Sequence, residues 1–262
     1  MKEAENKKPQ GIIKKTVEHY YSLEAFLKDE GLGSRKLVPD TSIAKFFFKD
    51  GRIKETEYFY DGQPDYKTVY KYNRKKQLIK SIDFNPCNTP IRKAVNKYDS
   101  KGLCVESCTY SDMKSIDFTR VFSYDENALK ISATVIQSDG STDGKSYFEY
   151  GRDGKEMAYT YKDNAGNILE KFIDLIDEAG NTILSWVCKE GDTLEREFVF
   201  SYDLHNNLVE KEIICYSNGI VTEVSRCKNK YVYDKKNNWI KMVLKHDNDE
   251  FSKVVVREIQ YF

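Results

Sequence analysis

The side chains that most often do chemistry are few in this sequence, and none belongs to a recognised catalytic arrangement. Three histidines occur, His19, His205 and His246, and their spacing is not that of metal ligands. His205 and His246 lie in the turn-like segments YDLHNN and HDND, where polar residues are ordinary. No GxSxG, HExxH, P-loop or GxGxxG motif is present. The sequence therefore predicts no catalytic residue, no metal site and no cofactor.

The cysteines show no CxxC spacing of the kind used by redox pairs or zinc sites. On a strand, Cys104 and Cys108 would share one face about 13 Å apart, too far for a disulfide without a bend. We expect free, partly buried thiols in a reducing compartment, with inter-repeat disulfides in an exported protein as the alternative. The six residues concerned are Cys87, Cys104, Cys108, Cys188, Cys215 and Cys227.

Carboxylates are abundant, but their placement favours a structural role. Glu195 and Glu197 lie on the polar face of one predicted strand, where solvated charge is the ordinary explanation. The turn aspartates could in principle form a Ca²⁺ ladder. However, each turn carries one acid and alternates it with lysine, as in YDSKG and YDKKNN, which favours a turn-forming role.

The strongest pattern is a repeat in which an aromatic residue precedes Asp, Asn or Gly. Its members, here called the anchor positions, lie 26 residues apart from Tyr72 to Tyr202, and Tyr233 follows after 31 residues. A second turn comes about half a period later, as at Ser138-Asp139-Gly140. Two turns per period leave segments of about nine residues, a typical strand length. The anchor positions are Tyr72, Tyr98, Tyr124, Tyr150, Tyr202 and Tyr233, and Ile176 fills the remaining step in place of an aromatic residue.

Aromatic residues in these segments alternate with charged ones, so stacked hairpins would carry aromatic rows along one face. Tyrosine rows suit sugar rings, and tyrosine is a common interface residue, so we take them as candidate binding residues. The alternative is that the rows pack as core, because a sheet must bury its apolar face. The candidates are Tyr70, Tyr72, Tyr124, Tyr150, Tyr202, Tyr231 and Tyr233.

These elements predict an all-β fold, a long antiparallel meander of stacked hairpins with a 26-residue repeat and two strands per repeat. We expect this β-repeat domain over residues 44–262 and an N-terminal segment over residues 1–43. About sixteen strands exceed the roughly ten that an open sheet holds easily, so the meander should twist or wind on itself. The segment SLEAFLKDEG (22–31) has an N-cap serine and a glycine stop, which predicts a short helix capping the first open strand.

At its turns the sequence resembles the YD-repeat proteins, which include the RHS and teneurin-type shells. The matching segments are YDSKGLCVES (98–107), NAGNILEKFID (164–174), EAGNTILSWV (178–187), YDLHNNLVEK (202–211) and YDKKNNWIKM (233–242). The last segment and the ending VVVREIQYF are also similar to uncharacterised Bacteroidetes repeat proteins. The resemblance implies a wound antiparallel β architecture with carbohydrate or protein binding at its surface. The period of 26 residues is longer than the roughly 20 usual in that family.

Composition narrows the function further. The chain has 262 residues with 42 basic and 42 acidic side chains, so its net charge gives no reason to expect a nucleic-acid partner. Its apolar runs are far shorter than the roughly 20 residues of a membrane-spanning helix. The first ten residues lack the apolar core of a signal peptide, so we expect either a cytoplasmic protein or an envelope or secreted protein whose leader was removed.

The sequence as a whole predicts a non-catalytic bacterial β-repeat protein that binds a polysaccharide or a protein partner at the cell envelope. Two alternatives stay open. One is a glycan-processing enzyme that uses surface carboxylates. The other is a structural or assembly module whose unpaired terminal strands join neighbouring chains edge to edge.

Overall fold

The computed structural model describes residues 12–32, 38–151, 154–190, 192–247 and 252–262. These residues form eighteen strands and one helix, α1, which spans Leu23–Leu32. The strands are β1 (Ile13–Ser22), β2 (Thr41–Phe47), β3 (Ile53–Tyr60), β4 (Gln63–Tyr72), β5 (Leu78–Phe84), β6 (Pro90–Tyr98), β7 (Cys104–Tyr110), β8 (Ile116–Tyr124), β9 (Lys130–Gln137), β10 (Thr142–Tyr150), β11 (Glu156–Lys162), β12 (Ile168–Ile176), β13 (Thr182–Lys189), β14 (Thr193–Tyr202), β15 (Leu208–Ser217), β16 (Ile220–Tyr233), β17 (Trp239–His246) and β18 (Lys253–Tyr261).

The strands form one closed antiparallel barrel. Each strand pairs with its neighbours in sequence, and β1 pairs with β18 on one side and β2 on the other, for example at Thr16 and Ile259. The all-β antiparallel prediction is confirmed, but the prediction of a long meander is wrong because the sheet closes. Strand twist accumulates over eighteen strands, and closure gives hydrogen-bond partners to the two strands that would otherwise be edges. The expected edge-to-edge assembly through unpaired terminal strands therefore loses its basis in the described part of the chain.

The barrel wall is a single sheet layer. Strands contact chiefly their ring neighbours, and α1 packs against β1 and β18. The fully buried side chains are mostly small and lie within the wall, such as Ala44, Thr56 and Val187, whereas most aromatic side chains are half-buried. Barrels of sixteen to eighteen strands are wide enough to enclose water. No aromatic residue is among the buried residues of the described part of the chain.

Strand register divides the wall into two faces, because residues directly opposite each other point to the same side. The tyrosine face carries pairs such as Tyr58 with Tyr66 and Tyr70 with Ser81. The lysine face carries pairs such as Lys71 with Lys80. The strong alternation in the sequence thus becomes a chemical difference between the two sides of the wall.

Helix α1 joins β1 to β2. The Ala25 amide donates to Ser22 Oγ at 3.2 Å, so Ser22 caps the helix as predicted, and Leu23 N donates to the Ser252 carbonyl at 3.1 Å. The helix lies within one residue of its predicted bounds. Because β1 pairs on both sides, the helix does not cap an open strand. The expected boundary between residues 43 and 44 falls inside β2, and β1 belongs to the same ring.

The turns after β4, β6, β8, β10, β12, β14 and β16 all lie at one end of the barrel, here called the anchor rim. In the turn from Asp99, the amide of Asp99 donates to the Leu103 carbonyl at 2.9 Å and the Leu103 amide donates to Asp99 Oδ1 at 2.8 Å. The fourth residue, Gly102, has a φ of 90°. The Asp therefore serves as an amide acceptor, and the position three residues after it favours residues that tolerate positive φ, which explains the turn pattern.

Candidate functional site

The hydroxyl groups of the anchor tyrosines bond to the wall. Tyr98 Oη donates to the Leu78 carbonyl at 2.8 Å, and Tyr124 Oη donates to the Cys104 carbonyl at 2.7 Å. In the same way Tyr72, Tyr150 and Tyr202 donate to the carbonyls of Ile53, Lys130 and Thr182. Each bond joins the end of one strand to the start of the strand before it. Burial raises the pKa of these phenols, which keeps them protonated as donors.

The longer 31-residue spacing changes the pattern at Tyr231 and Tyr233. Tyr231 Oη takes over the wall bond, donating to the Leu208 carbonyl at 2.9 Å. Tyr233 Oη instead donates to Asp203 Oδ2 at 2.5 Å and accepts from Asn207 Nδ2 at 2.7 Å. Burial and the Asp203 carboxylate together raise the pKa of Tyr233. Here the tyrosine joins one turn of the anchor rim to the next.

A polar and aromatic cluster fastens the seam where β1 meets β18. Arg257 donates from Nε and Nη2 to Glu18 Oε1 at 3.0 and 2.6 Å, and Tyr20 Oη donates to Glu18 Oε2 at 2.7 Å. The Arg257 guanidinium carbon lies 3.2 Å from the centre of a Trp239 ring, and Tyr231 contacts the same indole edge-on. Because these groups bond one another, we assign the cluster a structural role, the stabilisation of the closure between β1 and β18.

The seven tyrosines predicted as binding residues are spread around the barrel. Tyr231 and Tyr233 have ring centroids 6.2 Å apart, and Tyr70 and Tyr72 are neighbours on one strand. Tyr124, Tyr150 and Tyr202 end three separate strands. Ligand contacts by the rings of these residues stay a prediction, because the contacts that the structure shows for them are within the barrel, such as that of Tyr231 with Trp239.

A different aromatic pair lies at the rim opposite the anchor rim. Tyr58 on β3 and Tyr66 on β4 are directly opposite, with ring centroids 4.1 Å apart and planes 14° apart. The hairpin between them turns at Asp61 and Gly62, whose φ values of 47° and 72° suit a tight turn. A cavity of about 250 Å³ opens beside the stack. It is lined by Glu57, Tyr58, Phe59, Pro64, Tyr66, Lys67, Asn85, Pro86 and Asn88.

This cavity combines an accessible ring with unused polar groups. Tyr66 is 37% exposed, whereas burial and the Tyr66 hydroxyl raise the pKa of Tyr58 to about 12. Asn85 Oδ1 accepts the Thr89 amide at 2.9 Å, but the side-chain amides of Asn85 and Asn88 donate no hydrogen bond within the described ranges. A flat aromatic surface beside free amide donors is an arrangement that can bind a sugar ring and its hydroxyls.

The sequence pattern did not single out Tyr58 and Tyr66, because the candidate tyrosines were chosen at the anchor positions or two residues before them. The signal was present in ETEYFYDGQPDY (55–66), where aromatic residues flank an Asp-Gly turn. Counting outward from that turn, with one extra residue, Asp65, allowed for a bulge on β4, places the two tyrosines opposite each other.

The cysteines and the residue types that bind metals form no further candidate site in the described ranges. All six cysteines are free. Within the described ranges, no group of three or more His, Cys, Asp or Glu residues is arranged to hold a metal ion. No helix in those ranges is long and apolar enough to cross a membrane.

No family model matches the chain, and no curated protein matches it by sequence. Similar solved structures include a porin-like protein from Bacteroides uniformis, with 10% identity, a TM-score of 0.46, and coverage of 96% of this chain and 99% of that one. A porin-like protein from Bacteroides vulgatus has 11% identity, a TM-score of 0.35, and coverage of 80% and 97%. The Photorhabdus luminescens Tc holotoxin pore has 11% identity, a TM-score of 0.39, and coverage of 82% of this chain but 12% of that one. At these scores the likenesses carry no argument about function.

Proposed function

We propose that this chain is a non-catalytic β-barrel protein of the bacterial cell envelope that binds a polysaccharide. The observation that carries the proposal is the Tyr58–Tyr66 stack, in which the ring of Tyr66 is accessible to solvent beside the cavity. The C–H groups of a sugar ring would pack on Tyr66, and the amides of Asn85 and Asn88 would donate to its hydroxyls. Because Tyr58 fixes the plane of Tyr66 before binding, little side-chain entropy is lost when a ligand arrives.

The direct test is affinity electrophoresis of the purified chain in gels that contain dextran, laminarin, xylan or yeast mannan. The proposal predicts retardation by at least one polymer. Tyr66→Ala should weaken that retardation about tenfold, and Tyr66→Phe should preserve it, because the ring makes the contact. Tyr147→Ala is the matched control, since Tyr147 is also a half-exposed strand tyrosine, at 39% exposure, on the lysine face. Equal retardation of the Tyr66→Ala and Tyr147→Ala variants, or no retardation by any polymer, would contradict the proposal.

The envelope location has a separate test in the native cells. Fractionation should place the protein in the envelope or the medium, and a cytosolic protein would contradict this part of the proposal. A free-thiol count on the same sample reports whether the six cysteines, all free in the structure, stay reduced there.

The glycan-processing alternative is favoured by one observation, the carboxyl group of Glu57 in the same cavity. Burial and the neighbouring Glu55 carboxylate raise the pKa of Glu57, which is the direction required of a general acid. Hydrolysis would release new reducing ends from a bound polymer, and Glu57→Gln would abolish that release while leaving the retardation in place. Binding without release of reducing ends supports the non-catalytic proposal.

A further inference from the structure

A second cavity lies on the lysine face between β16 and β17, far along the sequence from the tyrosine stack. Its volume is about 360 Å³, and it is lined by Lys228, Lys230, Val243, Lys245, His246 and Asp247. Lys228 lies directly opposite Lys245, and Lys230 is the diagonal neighbour of Lys245. Three lysine residues therefore line one concave site.

The acidic neighbours compensate part of this charge. Glu210 Oε1 lies 3.4 Å from Lys228 Nζ, and Asp247 Oδ2 accepts the Arg226 amide at 2.8 Å. Lys230 and Lys245 have no ion-pair partner among the residues whose placement is described. Lys228 and Lys245 are like charges directly opposite each other in the sheet, an arrangement that is destabilising when the cavity is empty. An anion between the lysines would remove that cost.

We propose that this cavity is an anion site for a phosphate monoester group. The three lysines outnumber their two acidic neighbours, Glu210 and Asp247, so the cavity keeps a net positive charge that the negative charge of a phosphate monoester would complement. Lysine ammonium groups bind phosphate as point charges and do not need the planar geometry of arginine. The group could belong to a free sugar phosphate, to a phosphorylated glycan or to the headgroup of a lipid such as phosphatidic acid. The site is separate from the Tyr58–Tyr66 cavity and does not depend on the polysaccharide proposal.

The test is calorimetric titration of the full chain with inorganic phosphate at low ionic strength. The double variant Lys230→Met, Lys245→Met removes the two uncompensated charges and keeps the length of the side chains. Its matched control is Lys71→Met, Lys80→Met, a directly opposed lysine pair on the same face that does not line this cavity. We expect saturable binding to the wild type and to the control, a loss of about tenfold or more in the first variant, and weakening by added salt.

Equal affinity in the two double variants, or no saturable binding of phosphate to the wild type, would overturn the proposal. Circular dichroism on each variant verifies that it is folded. Once phosphate binding is established, glucose 1-phosphate and vesicles containing phosphatidic acid distinguish the sources of the group. Tighter binding of the sugar phosphate assigns the site to a carbohydrate ligand, and tighter binding of the vesicles assigns it to a lipid headgroup.

Discussion

At the residue scale, the anchor tyrosine has a definite physical task. Its hydroxyl reaches the first carbonyl of the preceding strand, as Tyr98 does at Leu78, so phenylalanine at the same position would fill the space but leave that bond unmade. The sequence showed where the tyrosines recur. It could not show what they bond, because the acceptor is a backbone carbonyl about 20 residues earlier and backbone carbonyls look alike in sequence.

We predict that Tyr98→Phe lowers the free energy of unfolding by about 1 kcal/mol, the usual net contribution of one hydrogen bond. The measurement is equilibrium urea unfolding followed by circular dichroism. Tyr60→Phe is the control, because Tyr60 is 69% exposed and its hydroxyl forms no hydrogen bond within the described ranges. Equal effects of the two substitutions would show that the Tyr98 hydroxyl does not stabilise the wall.

The carboxylate of Glu18 gives a pH-dependent prediction. Burial alone would raise its pKa, but the hydrogen bond from Tyr20 and the charge of Arg257 outweigh burial and hold the pKa below its ordinary value of 4.5. A lowered pKa in the folded state means that the stabilisation is present above about pH 4.5 and is lost as the pH falls through the folded-state pKa. Wild-type stability should therefore fall with acidification more steeply than that of Glu18→Gln.

Near neutral pH, Glu18→Gln should cost about 2 kcal/mol, because it leaves the Arg257 guanidinium partly buried without its counter-ion. Urea unfolding of the wild type and the variant over a series of pH values measures both effects. Parallel pH profiles would contradict the assigned role of Glu18 at the seam.

At the element scale, one strand depends on a glycine for its shape. Gly144 in β10 has a φ of 151°, and a Cβ atom there would overlap the carbonyl oxygen of Lys162 on β11. The register of β10 with β9 shifts between Thr142 and Lys145, so this glycine lies in an irregular part of the strand. Sequence alternation predicts the existence of such a strand. It does not predict the bulge, because a bulge is fixed by how two strands meet.

Gly144→Ala should destabilise the barrel by about 3 kcal/mol, since it combines a steric overlap with an unfavourable backbone conformation. Gly140→Ala is the matched control in the turn just before, where φ is 83° and no atom lies within 4 Å of the added Cβ. The control should cost about 1 kcal/mol, for the backbone conformation alone. Thermal and urea unfolding give the comparison, and equal losses would contradict the close approach of β10 to β11.

At the scale of the whole molecule, closure is the property that the sequence left undecided. Local patterns predicted strands, antiparallel hairpins and the N-terminal helix, because these depend on neighbours in the chain. Closure depends on the pairing of β1 with β18, more than 230 residues apart, and on residues such as Glu18 and Arg257 that no short-range pattern connects. The candidate cavity also depends on the β3–β4 turn and the β5–β6 turn lying side by side at one rim. Their positions follow from the register of β3, β4 and β5, which the sequence alone does not give.

Closure also decides how the molecule can bind. A closed wall presents two chemically different faces and two rims, so ligand sites can be separated in space. The Tyr58–Tyr66 stack lies at one rim, and the anchor tyrosines with their hydroxyls engaged lie at the other. We therefore expect polysaccharide to contact the rim opposite the anchor rim.

Hydrogen–deuterium exchange of the chain, measured with and without the soluble polysaccharide that retards it in the gel, shows which rim the polysaccharide contacts. We predict slower exchange in residues 57–67 and 85–89, which surround the cavity, and unchanged exchange at the anchor-rim turns such as 99–103. Protection concentrated at the anchor rim, or spread evenly over all eighteen strands, would contradict it.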